Sequence, residues 1–126
     1  MKHTFHKNER LCSKKRIETL FAGGSRVLSA YPLRAVYKEN DIPTRMPSLL
    51  ISVSKRHFKH AIDRNLVKRR IREAYRTNRH LLLDSLKEGQ HIDLAFIWMS
   101  DKISDFFTVE TRMKNLLHRI LEDEKY

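Results

Sequence analysis

The sequence predicts a small α+β sandwich in the order helix, strands, helix, strand, helix, with the helices against one mainly antiparallel sheet. Three observations predict it. Hydrophobic residues make up 40% of the 126 positions, enough for one modest core despite 33% charge. Segments with strand patterning at 48–54 and 92–99 alternate with segments of helical period, the pattern of layered α+β folds. No repeat or low-complexity linker interrupts the chain, and Gly and Pro number three each, so residues 1–126 read as a single domain.

The first ten residues are polar and basic and read as a flexible arm. From Ser13, "SKKRIETLFAGG" predicts a short helix: Ser13 caps it, Ile17, Leu20 and Phe21 share one face, and Gly23-Gly24 ends it. "RVLSAYPLRAVYKEN" reads as extended, with Pro32 marking an edge or bend. Two prolines in "NDIPTRMP" mark a loop, and "SLLISVS" follows as a strand with Leu49, Ile51 and Val53 alternating. A long basic helix runs from residue 60 to about 83 and is broken at "EGQH". "IDLAFIWM" is apolar on both faces from Leu94 onward, as a central strand is. The last helix starts with Ser104 or Asp105 as cap. Its apolar stripe is Phe106, Val109, Met113, Leu116, Leu117, Ile120 and Leu121, and its other face mixes both signs of charge, the pattern of a packing helix.

Charge narrows the function. The formal net charge is +11, which favours a polyanionic partner, nucleic acid before a membrane surface. Residues 1–83 hold 20 Lys and Arg against 6 Asp and Glu, whereas residues 84–126 hold 6 against 9, so the partner meets surfaces built by the first two thirds. Cys12 is the sole cysteine, which excludes an intrachain disulfide and fits a reducing compartment. With no signal-peptide core and no apolar run long enough for a bilayer, the expectation is a soluble cytoplasmic protein.

"DRNLVKRRIREAYRTNRHLL", residues 63–82, concentrates seven basic residues against two acids. At 100° per residue, Val67, Ile71, Ala74, Leu81 and Leu82 form one arc with Tyr75 beside it, a stripe for packing on the sheet. Asn65, Lys68, Arg69, Arg72, Arg76 and Arg79 share a second arc that contains no acid. Ordinary solvated faces offset like charges with i,i+4 pairs. An uncompensated face predicts phosphate, which the planar guanidinium fork grips at two oxygens. A helix-turn-helix reader needs a short helix and turn upstream, but the upstream segment is a strand, so RNA is expected rather than DNA.

Catalytic constellations are not found. His57 and His60 stand at i,i+3 beside no paired carboxylates, and no H-E-x-x-H pattern, glycine-rich phosphate loop or activated nucleophile occurs. The histidines read as flanking an RNA surface, and any chemistry on the RNA belongs to another molecule.

The residues now support a resemblance. "SVSKRHFKHAIDRNLVKRRIREAYR" resembles the signature of the bacterial ribonuclease P protein subunit, with Val53, Lys55, Arg56, Ala61, Arg64, Asn65, Lys68 and Arg69 at matching positions. "RLCSKKRIETLFAGG" is similar to the same family's upstream pattern at Arg10, Leu11, Phe21 and Gly24, with Ile17 where an aromatic is usual. The resemblance implies a ribosomal-protein-S5-domain-2-like α+β fold with a left-handed crossover around the basic helix. It implies a monomeric subunit of a ribonucleoprotein endoribonuclease whose catalytic RNA removes the 5′ leader of precursor tRNA with Mg2+. The protein then carries no catalytic residue and no metal site, and assists by binding RNA and leader.

Carried over by position, Lys55, Arg56, Arg64, Asn65, Lys68, Arg69, Arg72 and Arg76 lie on the RNA face, and Arg10, Ile17 and Phe21 line or border a leader cleft. Phe21 has two readings, stacking on an unpaired base or packing in the core, and Tyr31, Tyr37 and Phe58 are further cleft aromatics by chemistry. One position departs from the family. Leu66 stands where the motif is commonly basic, and Arg70 either supplies the missing charge or is held by Glu73. The alternative function is a structural RNA-binding protein of a ribosomal or assembly type, which needs no cleft.

Overall fold

The structure is a computed structural model that describes Leu11 and residues 14–40, 47–83 and 91–124. Eight elements follow in order: α1 (Lys14–Phe21), β1 (Arg26–Ala30), β2 (Leu33–Asn40), β3 (Ser48–Ser52), α2 (Ala61–Asn78), α3 (His80–Leu83), β4 (His91–Trp98) and α4 (Phe106–Glu124). Ser13, the expected cap of the first helix, lies outside the described residues. Gly23 and Gly24 end α1 as expected. Both have positive φ, 116° and 79°, a conformation that glycine adopts without a Cβ penalty.

The four strands form one sheet in the order β1-β2-β4-β3. The extended segment around Pro32 is a hairpin: β1 and β2 pair antiparallel from Arg26↔Tyr37 to Ala30↔Leu33, and the turn between them is Tyr31 and Pro32, joined by a cis peptide bond. β4 pairs antiparallel with β2 and parallel with β3, which makes β3–α2–β4 a crossover connection.

Alternation sorts side chains to the two faces of this sheet. Leu33, Ala35 and Tyr37 of β2, with Ile92, Leu94, Phe96 and Trp98 of β4, face α2 and α4 in the main core. There they meet Val67, Ile71, Ala74 and Tyr75 of α2 and Val109, Met113, Leu116, Leu117 and Ile120 of α4. The opposite face presents Val36 and Ala95 to Leu11 and Leu20, with Ile17 and Leu50 packed alongside. Both faces of β4 are therefore covered, which is why the segment is apolar without alternation.

The basic helix is shorter than its pattern. α2 stops at Asn78, Arg79 caps it by donating its backbone N–H to the Tyr75 carbonyl, and a separate helical turn follows. At α4 the cap is Asp105, whose Oδ1 accepts the Thr108 backbone N–H at 2.8 Å.

Candidate nucleic-acid interface

Residues 54–60 turn the chain from the end of β3 into α2, with the His57 and Phe58 amides donating to the Ser54 carbonyl at 3.1 and 3.2 Å. Lys55 and Arg56 are exposed in that turn. Because Val67, Ile71, Ala74 and Tyr75 are drawn onto the sheet, helical geometry turns Asn65, Lys68, Arg69 and Arg72 outward. Asn65, Arg69 and Arg72 are exposed and Lys68 is half-buried. Among the described residues, none of Lys68, Arg69 and Arg72 has a hydrogen-bond or ion-pair partner. Three adjacent, unneutralised cations on one helix face can bind a run of phosphates.

The rest of the predicted arc differs. Arg64 directs Nη1 back to the carbonyls of Phe58 (2.9 Å) and Lys59 (3.0 Å), tying the turn to the helix it feeds. Arg76 is paired with Glu73, one turn earlier, so the arc does have an acid within reach. The Arg76 guanidinium holds the Glu73 carboxyl below its usual range through their hydrogen bond. Arg79 is 6% exposed although its backbone is still αR, so the wheel gives its direction but not what covers it where α2 meets α3. Arg70 is not held by Glu73: it donates to the Ser104 carbonyl and thereby fastens α2 to the loop before α4.

Two of the predicted cleft residues, Ile17 and Phe21, stand one turn apart on α1. Arg10 lies outside the described residues. Ile17 packs on the second apolar cluster, and Phe21 does not share that packing face, being 47% exposed. Leu20 fills the core position instead. Tyr37 and Phe58 are buried in the main core, which removes them as stacking surfaces, whereas Tyr31 is exposed at the hairpin turn.

A cavity of about 240 Å³ does open between α1 and the sheet, lined by Lys15, Arg16, Thr19 and Leu20 of α1, Lys38 and Glu39 of β2, and Asp93 of β4. Its floor is polar. Arg16 lays its guanidinium across both Asp93 oxygens and also donates from Nη2 to Ser48 Oγ at 3.0 Å. His91 Nε2 lies 3.0 Å from Ser48 Oγ and 3.3 Å from Asp93 Oδ1. His91 is thus buried within this cluster. Sequence reasoning missed this cluster, because its members come from three elements far apart in the chain.

The cluster does not have the makeup of a metal site, since the Arg16 guanidinium already occupies the position a cation would take against Asp93. Among the described residues, no group of three or more His, Cys, Asp and Glu could hold a metal ion. His57 also stands beside an acid, with Nδ1 2.6 Å from Asp101 Oδ1, joining the β3–α2 turn to the β4–α4 loop.

Comparison with known proteins decides the family. The family model for ribonuclease P matches residues 5–121. The chain belongs to the ribonuclease P protein family. The ribonuclease P protein component of Porphyromonas gingivalis is 45% identical over 116 residues, spanning 90% of this chain and 84% of that one. The ribonuclease P protein from Thermotoga maritima superposes with a TM-score of 0.70 at 25% identity, covering 88% of this chain and 96% of its own. At 17% identity the Staphylococcus aureus ribonuclease P protein shares the fold, with a TM-score of 0.67 over 89% of this chain and 94% of its own. This ribonuclease P protein is therefore a subunit of a ribonucleoprotein enzyme, and the reading as a ribosomal structural protein gives way.

Among the described residues, no helix is long and apolar enough to cross a membrane.

Proposed function

We propose that this subunit holds the two RNAs of the reaction on different surfaces. The face of α2 built by Asn65, Lys68, Arg69 and Arg72, extended by Lys55 and Arg56, binds the catalytic RNA. The groove between α1 and the sheet takes the single-stranded 5′ leader of precursor tRNA, with Lys15 and Lys38 at its walls and Phe21 at the end of α1. The observation that carries this reading is the row of partnerless cations on α2, in a chain that belongs to this family.

The chemistry of the surfaces fits that division. Guanidinium and ammonium groups neutralise phosphates without reading sequence, so they position RNA rather than select it. An exposed aromatic ring such as Phe21 stacks on an unpaired base irrespective of its identity, a contact worth about 1–3 kcal/mol. Mg2+ in this reading is held by the RNA, whose phosphates the protein helps neutralise. No protein side chain is assigned a bond-breaking role. Arg64 and Arg76 contribute by position: one fixes the turn that presents Lys55 and Arg56, the other is tethered to Glu73 on the same helix.

The test mixes the protein with ribonuclease P RNA and precursor tRNA at low magnesium. Stimulated cleavage at the 5′ end is expected, and protein without RNA leaves the precursor intact. Phe21→Ala then weakens binding of precursor more than of mature tRNA. Equal losses for both RNAs would remove Phe21 from the leader path, and no stimulation by the parent protein would overturn the whole reading.

A further inference from the structure

Leu66 interrupts the basic run at a position that offers no donor to a phosphate. Around it, α2 and the first turn of α4 enclose an open groove of about 300 Å³ lined by Leu66, Arg69, Arg70, Glu73 and Phe106. One turn before Leu66 on the same face, Ile62 is 80% exposed. The groove thus has apolar walls in Leu66 and Phe106, and the exposed Ile62 continues the Leu66 side of α2 by one turn.

Its polar groups are fixed in different ways. Arg70 is held in the wall by its bond to the Ser104 carbonyl, 2.5 Å away. Glu73 is oriented by Arg76 and kept ionised, so its carboxylate is a standing acceptor. Arg69 alone is exposed and without a partner among the described residues, and it stands between this groove and the Lys68–Arg72 face.

We propose that the groove receives one unstacked nucleobase of the bound RNA, whose own phosphate is held by Arg69. The inference rests on the reading of α2 as the RNA-binding helix. The shape and charge of the groove favour this occupant. A nucleobase is flat and apolar on its faces, which suits Leu66 and Phe106, while its edge carries hydrogen-bonding groups. Glu73 accepts from an exocyclic amine, so adenine, cytosine and guanine are favoured over uracil. A bound phosphate alone has no use for Leu66, and an apolar protein segment would have to strip water from Arg69 and Glu73. The structure therefore gives Leu66 a function where the motif suggests a lost contact.

The test measures binding of ribonuclease P RNA to Ile62→Ser and Leu66→Asn across a salt series. Both variants should weaken binding, Leu66→Asn by roughly tenfold, while the slope of log affinity on log salt stays at the parent value because no phosphate contact is lost. Ile62 is exposed, so its variant keeps the native fold and serves where Leu66→Asn does not fold. Parent-like affinity in both variants overturns the proposal, as does a weakening that comes with a shallower slope. A photo-crosslinking amino acid placed at position 62 should capture a single unpaired nucleotide, and capture of duplex alone would also overturn it. Failure of the underlying reading is separately visible: replacing Lys68, Arg69 and Arg72 would then leave the slope unchanged.

Discussion

Replacing Lys68, Arg69 and Arg72 together by Ala removes the outward-facing cations of α2 that have no partner among the described residues. Each phosphate contact contributes about 0.7–0.9 to the slope of log affinity on log salt. Three contacts then account for about 2.1–2.7 of that slope. Between roughly 50 and 200 mM salt, the parent's affinity for ribonuclease P RNA should fall about 20- to 40-fold more than the variant's. The number is three because the neighbours are occupied: Arg64 is bonded to two carbonyls, Arg76 is paired with Glu73, and Arg79 is buried. Fluorescence anisotropy of labelled RNA over a salt series measures the slope, and circular dichroism confirms that the helix persists. Relief of like-charge repulsion should leave the variant at least as stable as the parent. An unchanged slope would refute the assignment of this face. So would an equal loss of slope from removing Arg79 alone, since a buried guanidinium should not exchange counterions.

Two further outcomes concern what holds the fold. Arg16→Met strips Asp93 of its counter-charge at a position where the aspartate side chain is 9% and the arginine 31% exposed. A loss of about 2–4 kcal/mol is expected in chemical denaturation, less than for a fully buried pair. A loss under about 1 kcal/mol would reduce the cluster to a solvent-screened contact. Asp105→Ala should lower the thermal midpoint near neutral pH by removing the α4 cap. The Thr108 hydrogen bonds, side chain and backbone, hold the Asp105 carboxyl below its usual range. Its contribution is therefore complete above the unfolded-state pKa and is lost as pH falls through the lower folded value. The gap between parent and variant midpoints should narrow in acid, and a gap independent of pH would contradict the capping role.

Period and composition carried most of the architecture. A strand apolar on both faces, as at 92–99, is legible as a central strand because only such a position has cover on each side. The azimuth of Lys68, Arg69 and Arg72 was legible for the same kind of reason, since the apolar arc of α2 fixes which way the rest must point. What the wheel does not hold is the position of other elements. It counts Arg79 with the exposed arc, yet that side chain is covered where α2 meets α3. It put Phe21 beside Leu20, although the sheet covers only one of them. It does not show the partner of Arg70, because Ser104 approaches from a loop 34 residues away in the chain. The Arg16–Asp93–His91–Ser48 cluster was invisible for the same cause: four polar residues scattered along a sequence become one group only when the strand register is known.

The strand order has a further consequence for how the protein comes into being. Among the described residues, β4 is the last strand in chain order, yet it lies between β2 and β3 and is the only sheet neighbour that β3 has. Before residues 91–98 leave the ribosome, β1 and β2 form a lone hairpin of marginal stability, and α2 has no completed sheet to pack on. The growing chain at that stage is a polycation, since the residues up to 83 carry 20 basic against 6 acidic side chains. Its cohesion waits on contacts distant in sequence, which form slowly. A message truncated before His91 therefore yields no half-folded module, only a coil that repels itself and adheres to any nucleic acid nearby. For this fold, the RNA-binding charge exists before the shape that disciplines it.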